Sequence, residues 1–200
     1  MKVFISTINK DLDLNQINLL TPNRIAKINN FAKYEDKARC MVTGLLLKNV
    51  LGINDDAQLI YGEKNKPYLV YNNVFFNISH SGEYVVLAIS SNECGVDIEK
   101  IENYNEKVAE RYFTADEYQH LKKINQNDLF YRMWTAKEAI MKAVGLGISM
   151  IPNSFSVLPM NSDPHIIHNR VWFLDWMNYQ DYIIACANEN AYEKIELVKI

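Results

Sequence analysis

Cysteine is scarce in this chain, and what there is does not pair. Cys40, Cys94 and Cys186 are odd in number, widely spaced and form no C-x-x-C. That pattern excludes a disulfide framework and gives no zinc-ligand spacing, so the thiols read as reduced, mostly buried groups of a cytoplasmic protein. No apolar run approaches the ~20 residues that a membrane span needs, so no membrane association is expected. Met1 to Asn9 carry a short apolar patch without a small-residue cleavage signal and read as a first strand, not a signal peptide. Tandem repeats and low-complexity tracts are absent. So is a G-x-S-x-G elbow, and adjacent Ser79 and His80 on one strand would face opposite ways, which argues against a Ser-His hydrolase. A formal net charge of only −3 gives no reason to expect nucleic acid as a partner.

What is present is an ordinary globular composition: 200 residues, 48% hydrophobic and 22% charged, enough for one cored domain or two small ones. Charge is uneven along it. Between Arg24 and Lys48 six basic residues face two acidic ones, whereas Tyr61 to Glu99 holds five acidic residues and two basic ones. A basic segment near an acidic cluster can seat a phosphorylated ligand beside a cation, although charge alone is equally that of a solvated helix face.

Periodicity and punctuation place the elements. Val3–Ile8 is rich in strand formers. Thr21 and Pro22 read as an N-cap with proline in the first turn, opening a helical stretch that breaks near Phe31 and ends at Gly52. Strands are expected at Gln58–Tyr61, Val74–Ser79, Tyr84–Ser90 and Gly95–Glu99, joined as an antiparallel meander. Thr114 to Glu117 is a capping box opening a helix to about Lys123. Asn127 or Asp128 would cap a further helix to about Val144, with Gly145 placed to end it. Phe155–Leu158, Val171–Trp176, Tyr182–Ala187 and the tail Ile195–Ile200 read as strands; His165 and His168 read as solvated loop histidines. Strands and helices that alternate irregularly argue for an α+β fold, divided near Lys100–Asn105 into halves of residues 1–101 and 102–200.

Four segments carry chemistry. In Gly95-Val96-Asp97-Ile98-Glu99 a strand would put Asp97 and Glu99 on one face with Cα atoms ~6.8 Å apart. Two carboxylates at that spacing can converge on a hard cation, although an acidic strand edge is the commoner use. In Trp134-Thr135-Ala136-Lys137-Glu138-Ala139-Ile140-Met141-Lys142 a helix would stack Trp134, Glu138 and Lys142 four apart on one stripe, either as a third carboxylate with a phosphate-neutralising ammonium or as a surface ion pair beside a core tryptophan. Phe76-Asn77-Ile78-Ser79-His80-Ser81 presents hydroxyls and an imidazole beside a turn. Lys66-Pro67 follows a turn and alone says little.

Taken together and in this order, these segments resemble the Sfp-type phosphopantetheinyl transferases. The matching pieces are Lys66-Pro67, F-N-I-S-H-S at 76–81, G-V-D-I-E at 95–99, Arg111-Tyr112-Phe113 through Glu117, W-T-A-K-E-A-I-M-K at 134–142 and Gly145-Leu146-Gly147. The resemblance covers about residues 21–158. Two positions depart from the family pattern: Asn65 stands where glycine usually precedes Lys-Pro, and Leu146 where a polar or basic residue is usual.

The resemblance implies a pseudo-dimer of two similar α+β halves with mostly antiparallel sheets and the active site between them. It implies transfer of phosphopantetheine from coenzyme A to a serine of an apo acyl or peptidyl carrier protein, with Mg²⁺ (or Mn²⁺) held by Asp97, Glu99 and Glu138. Glu138 would also serve as base, and Lys142 and His80 would contact the phosphates. Arg39 would hold the 3′-phosphate, with Arg24 and Lys27 as further basic contacts and Lys66 and Ser79 completing the nucleotide site. The carrier would dock on residues 111–123, through Tyr112, Phe113, Tyr118 and Leu121 with Arg111, Lys122 and Lys123. A monomer is expected. Two other readings use the same residues: a metal-dependent phosphodiesterase that attacks coenzyme A with water, and a non-catalytic coenzyme A-binding module.

Overall fold

The computed structural model describes residues 1–8, 14–71, 74–161, 163–190 and 194–200. Its elements run β1 (Lys2–Thr7), α1 (Pro22–Asn30), α2 (Tyr34–Leu51), β2 (Leu59–Tyr61), β3 (Pro67–Leu69), β4 (Phe75–Ser81), β5 (Tyr84–Ser90) and β6 (Cys94–Lys100). Then come α3 (Glu106–Tyr112), α4 (Ala115–Ile124), α5 (Asn127–Val144), β7 (His165–Ile167), β8 (Arg170–Tyr179), β9 (Tyr182–Asn188) and β10 (Glu196–Lys199). The α+β class follows directly: among the described residues, every sheet pair is antiparallel except β1 with β10.

The halves repeat one plan. One four-stranded sheet has the order β10-β1-β5-β4 and the other β6-β9-β8-β7, with β2 and β3 forming a separate two-stranded sheet. In each four-stranded sheet, a first strand pairs with the last strand of a hairpin, and an 18-residue helix crosses between them: α2 in one case, α5 in the other. Each of those helices ends on a glycine in the left-handed region; at Gly145, φ of 79° is a conformation that a side chain would strain.

Alternation explains the layers. On β5, Val85 and Leu87 face α2, in a cluster with Val42, Leu46, Leu47, Ile53 and Phe76. Val86 and Ala88 face the other way, into a core with Val3, Ile5, Val96, Ile98, Ile184 and Cys186. That second core draws on both sheets, so they pack face to face. On β9, Ala185 and Ala187 face outward to α5, Ile140 and Met133 among them. The order is helix, sheet, sheet, helix. β5 and β9 are covered on both faces, which is why both read as nearly unbroken apolar runs. Large aliphatic side chains so enclosed stabilise the fold by about 1.5–3 kcal/mol each.

Four expectations need correction. β6 does not continue a meander with β4 and β5; it pairs antiparallel with β9, Asp97 opposite Ala185. Phe155–Leu158 is not a strand. The Val157 amide, which a ladder would have used, donates instead to Glu117 Oε1 at 2.7 Å. The N-cap of α5 is Gln126, without a side-chain bond, because Asn127 accepts from the Tyr104 amide and Asp128 pairs with Arg132. His165 lies in β7 and is buried; only His168 occupies a turn, at φ 53°. The capping box at Thr114 and Glu117 forms as the residues imply. At α1 the cap comes from afar: Asp56 accepts from the Thr21 hydroxyl at 2.6 Å and from the Asn23 amide at 2.9 Å.

Candidate active site

The edge strands β4 and β6 lie beside each other where the two sheets meet. Their link is made by side chains at every second residue of β4. Asn77 Oδ1 accepts from the Val96 amide at 3.0 Å, the Ser79 hydroxyl donates to Asp97 Oδ1 at 2.8 Å, and the Ser81 hydroxyl donates to Glu99 Oε2 at 2.7 Å. Period two on β4 thus matches period two on β6. Asp97 and Glu99 share a face, as the strand pattern requires, and that face is turned to α5 while Val96 and Ile98 enter the core between sheets.

α5 approaches β6 very closely because Gly95 has no side chain. A Cβ there would fall on the carbonyl oxygen of Ala139 and 2.6 Å from the Ala143 nitrogen. The contact brings one stripe of α5 over the carboxylates. Lys142 Nζ reaches Asp97 Oδ1 at 2.6 Å and the Ser79 hydroxyl at 2.8 Å. Glu138, one turn earlier, is part of the same field. Burial raises the pKa of Glu138 above the usual carboxylate range; the Asp97 charge adds to this and Lys142 opposes it. Burial likewise pushes Glu99 up to about 7, with Asp97 reinforcing the rise and the Ser81 hydrogen bond opposing it. Asp97 alone contacts the Lys142 ammonium, while Glu99 and Glu138 feel the charges of both.

The other Asp97 oxygen, Oδ2, is buried and accepts no hydrogen bond, an acceptor lacking its donor. Among the described residues no three acidic, thiol or imidazole side chains are already gathered as a metal cage, and Lys142 supplies the positive charge instead. The donor set nonetheless fits a hard cation: carboxylate oxygens only, one of them buried and unpartnered.

Next to this cluster a cavity of about 450 Å³ opens into the first half. Arg24, Lys27, Arg39 and His80 line it, with Tyr61, Asn65 and Pro67 on one wall. Arg39 is held in place: Nη1 pairs with Asp36 at 2.9 Å and Nε donates to the Gly82 carbonyl at 3.1 Å. Burial, then the Arg39 and Lys142 charges, lower the His80 pKa. Neighbouring cations with the same preference for an anion are the mark of a polyanion seat.

Of the residues singled out by sequence, Asp97, Glu99, Glu138, Lys142 and Ser79 thus come together in one cluster, and Arg24, Lys27, Arg39 and His80 in the adjoining cavity. Lys66 is placed apart from both. Its ammonium is buried against Glu93 Oε2 at 2.6 Å, the Ala143 carbonyl at 2.7 Å and the Cys94 carbonyl at 3.3 Å. On 111–123, Phe113 and Leu121 are core residues; Arg111, Ala115, Asp116, Gln119, Lys122 and Lys123 are exposed, with Lys122 paired to Glu106 and the tyrosines half-buried. Asn77 and Ser81 stand in the F-N-I-S-H-S segment but were given no role of their own, although their even spacing from Ser79 was a signal. Sequence reading missed the Lys137–Glu117 ion pair, 2.7 Å and wholly buried, which no local pattern announces.

Comparison with known proteins shows the family. The profile of the 4′-phosphopantetheinyl transferase superfamily matches residues 93–187, and that of the 4′-phosphopantetheinyl transferase N-terminal region matches residues 9–92. The chain belongs to this superfamily. It is 38% identical over 140 residues to the 4′-phosphopantetheinyl transferase ffp of Bacillus subtilis, covering 66% of this chain and 62% of that protein. It is 33% identical over 150 residues to the 4′-phosphopantetheinyl transferase Sfp of Bacillus subtilis strain 168, covering 70% and 67% respectively. Within the superfamily it is of the Sfp type. A mouse L-aminoadipate-semialdehyde dehydrogenase-phosphopantetheinyl transferase is 31% identical over 169 residues, 72% of this chain and 55% of that protein. The chain thus spans less than two thirds of the length of ffp and little more than half that of the mouse protein.

Proposed function

We propose that this protein transfers the 4′-phosphopantetheine arm of coenzyme A to a serine hydroxyl of an apo acyl or peptidyl carrier protein, releasing 3′,5′-ADP. One observation carries the reading: the cluster of Asp97, Glu99, Glu138 and Lys142 opens beside a cavity lined by Arg24, Lys27, Arg39 and His80. Coenzyme A carries a diphosphate and a 3′-phosphate. A site for it needs cations for the nucleotide end and a charge-handling centre at the diphosphate.

Arg39, braced by Asp36 and the Gly82 carbonyl, has its guanidinium set for the 3′-phosphate, with Arg24 and Lys27 beside it. His80 at the cavity edge donates to the same group or its neighbour. Lys142 neutralises a diphosphate oxygen on the side facing the carboxylates. Asp97, Glu99 and Glu138 are the residues that would hold Mg²⁺, or Mn²⁺ in its place. Held there, such an ion would supply positive charge to the diphosphate and so ease departure of the nucleotide. Burial raises the Glu138 pKa, which strengthens this carboxylate as the base that takes the serine proton. The serine oxygen–phosphorus bond forms, the bond from phosphorus to the bridging diphosphate oxygen breaks, and 3′,5′-ADP leaves with those electrons. Holding both reactants between two halves supplies positional acceleration. The carrier, an acidic partner, is expected against Arg111, Lys122 and Lys123. The protein is proposed to act as a cytoplasmic monomer; among the described residues no helix is long and apolar enough to cross a membrane.

The test is product analysis with coenzyme A and Mg²⁺, with and without an apo carrier. Release of 3′,5′-ADP only when carrier is present supports transfer. Release of free phosphopantetheine without carrier makes the protein a phosphodiesterase, and coenzyme A retained uncut makes it a binding module.

A further inference from the structure

The turn between β2 and β3 faces two ways. Asn65 and Pro67 line the basic cavity, but Lys66 between them sends its side chain into the second half. The turn is stiff: the Asn65 amide donates to the Gly62 carbonyl, the Gly62 amide donates to the Lys66 carbonyl, both at 2.9 Å, and Asn65 sits at φ 63°. Only 6% of the Lys66 side chain is exposed. Burying an ammonium this fully is costly unless every donor is used, and here three acceptors take it.

Those acceptors are not random. The Ala143 carbonyl belongs to the last turn of α5, which has no intrahelical donor and carries the negative end of the helix dipole. The Cys94 carbonyl opens β6. The Lys66 stem also lies along the end of α5, since a Cβ on Gly145 would meet Lys66 Cδ at 3.2 Å. One side chain thus grips the helix that bears Glu138 and Lys142 and the strand that bears Asp97 and Glu99.

We propose that Lys66 is a positioning residue that couples filling of the basic cavity to the placement of the α5 C-terminal end over β6. A ligand resting on Asn65 and Pro67 fixes the turn, and the turn fixes the helix end through the ammonium. This rests on the function proposed above, because it takes the cavity to be the nucleotide seat.

The probe is 3′,5′-ADP, and the readout is hydrogen exchange of amides 140–146. In the wild type, adding 3′,5′-ADP slows exchange there. In the double variant Lys66→Met/Glu93→Gln, which leaves neither charge buried alone, 3′,5′-ADP binds within about threefold of wild type. The slowing at 140–146 is nevertheless lost, and kcat falls by about tenfold or more while KM for coenzyme A changes less. If that variant does not fold, Lys66→Arg replaces it: its planar fork cannot place one nitrogen on all three acceptors, so the slowing is reduced. A variant with a lowered Tm but undiminished slowing and kcat overturns the inference and leaves Lys66 a staple. A wild type that binds 3′,5′-ADP with no change at 140–146 overturns it alone. A wild type that binds no 3′,5′-ADP overturns it together with the proposed function.

Discussion

Gly95→Ala adds a single methyl group at the tightest point of the molecule. Its Cβ would land on the Ala139 carbonyl oxygen and 2.6 Å from the Ala143 nitrogen, both backbone atoms of α5 that no rotamer change can move. The helix must retreat from β6 by about 1 Å or more to restore a normal contact. Overpacking of this kind costs about 3 kcal/mol, which in a chain of this size lowers Tm by roughly 6–12 °C. The functional effect should exceed the thermal one. Retreat of α5 separates Lys142 from Asp97, now 2.6 Å apart, and carries Glu138 with it. A displacement of that size in a catalytic group lowers kcat by about a hundredfold, measured well below the variant's Tm. Differential scanning calorimetry and steady-state kinetics on the same preparation check both numbers. A Gly95→Ala protein with wild-type Tm and wild-type kcat would refute the claim that this contact sets the site's geometry.

Other outcomes follow from the same structure. Lys137→Met leaves Glu117 as a buried, unpaired charge and destabilises by about 3–5 kcal/mol in urea titration, whereas Lys137→Met/Glu117→Gln costs clearly less. Arg39→Ala weakens binding of 3′,5′-ADP by about ten- to a hundredfold in calorimetry, since it removes a charged donor from the cavity, with a smaller effect on kcat. Glu99 is raised to about 7 from 4.5, so the fold keeps a proton that the unfolded chain releases. This group's contribution to stability is therefore full below pH 4.5 and is lost as pH rises towards 7. A divalent cation competes for that proton, so the rise in Tm on adding Mg²⁺ grows as pH passes through about 7 and is abolished in Asp97→Asn.

Much of this architecture was legible from residues alone where the cause is local. The capping box at Thr114, the glycine ending α5 and the alternation of β6 are short-range features, and they appear where expected. Strand and helix periods put Asp97 with Glu99, and Glu138 with Lys142, on one face each; that the two pairs meet was implied only by the family resemblance. What could not be read is partnership at long range. β6 looks like the last strand of a meander, yet its hydrogen-bond ladder runs to β9, and its apolar face meets that of β5 only across the core between the sheets. Phe155–Leu158 has strand composition, but a glutamate 40 residues earlier takes its backbone amide. Lys66 has the look of a ligand contact, and its true acceptors lie 27, 28 and 77 residues away. The burial of His165 is likewise set by β8 pairing, with Trp172 opposite, not by its polar neighbours.

The most direct test of the central claim is the intact mass of an apo carrier protein after incubation with coenzyme A and Mg²⁺, using wild type and Glu138→Gln side by side. With wild type the carrier should gain the mass of one phosphopantetheinyl unit. That gain should vanish with chelator and slow by about a hundredfold or more with Glu138→Gln. A carrier mass unchanged across acyl and peptidyl carriers would contradict it.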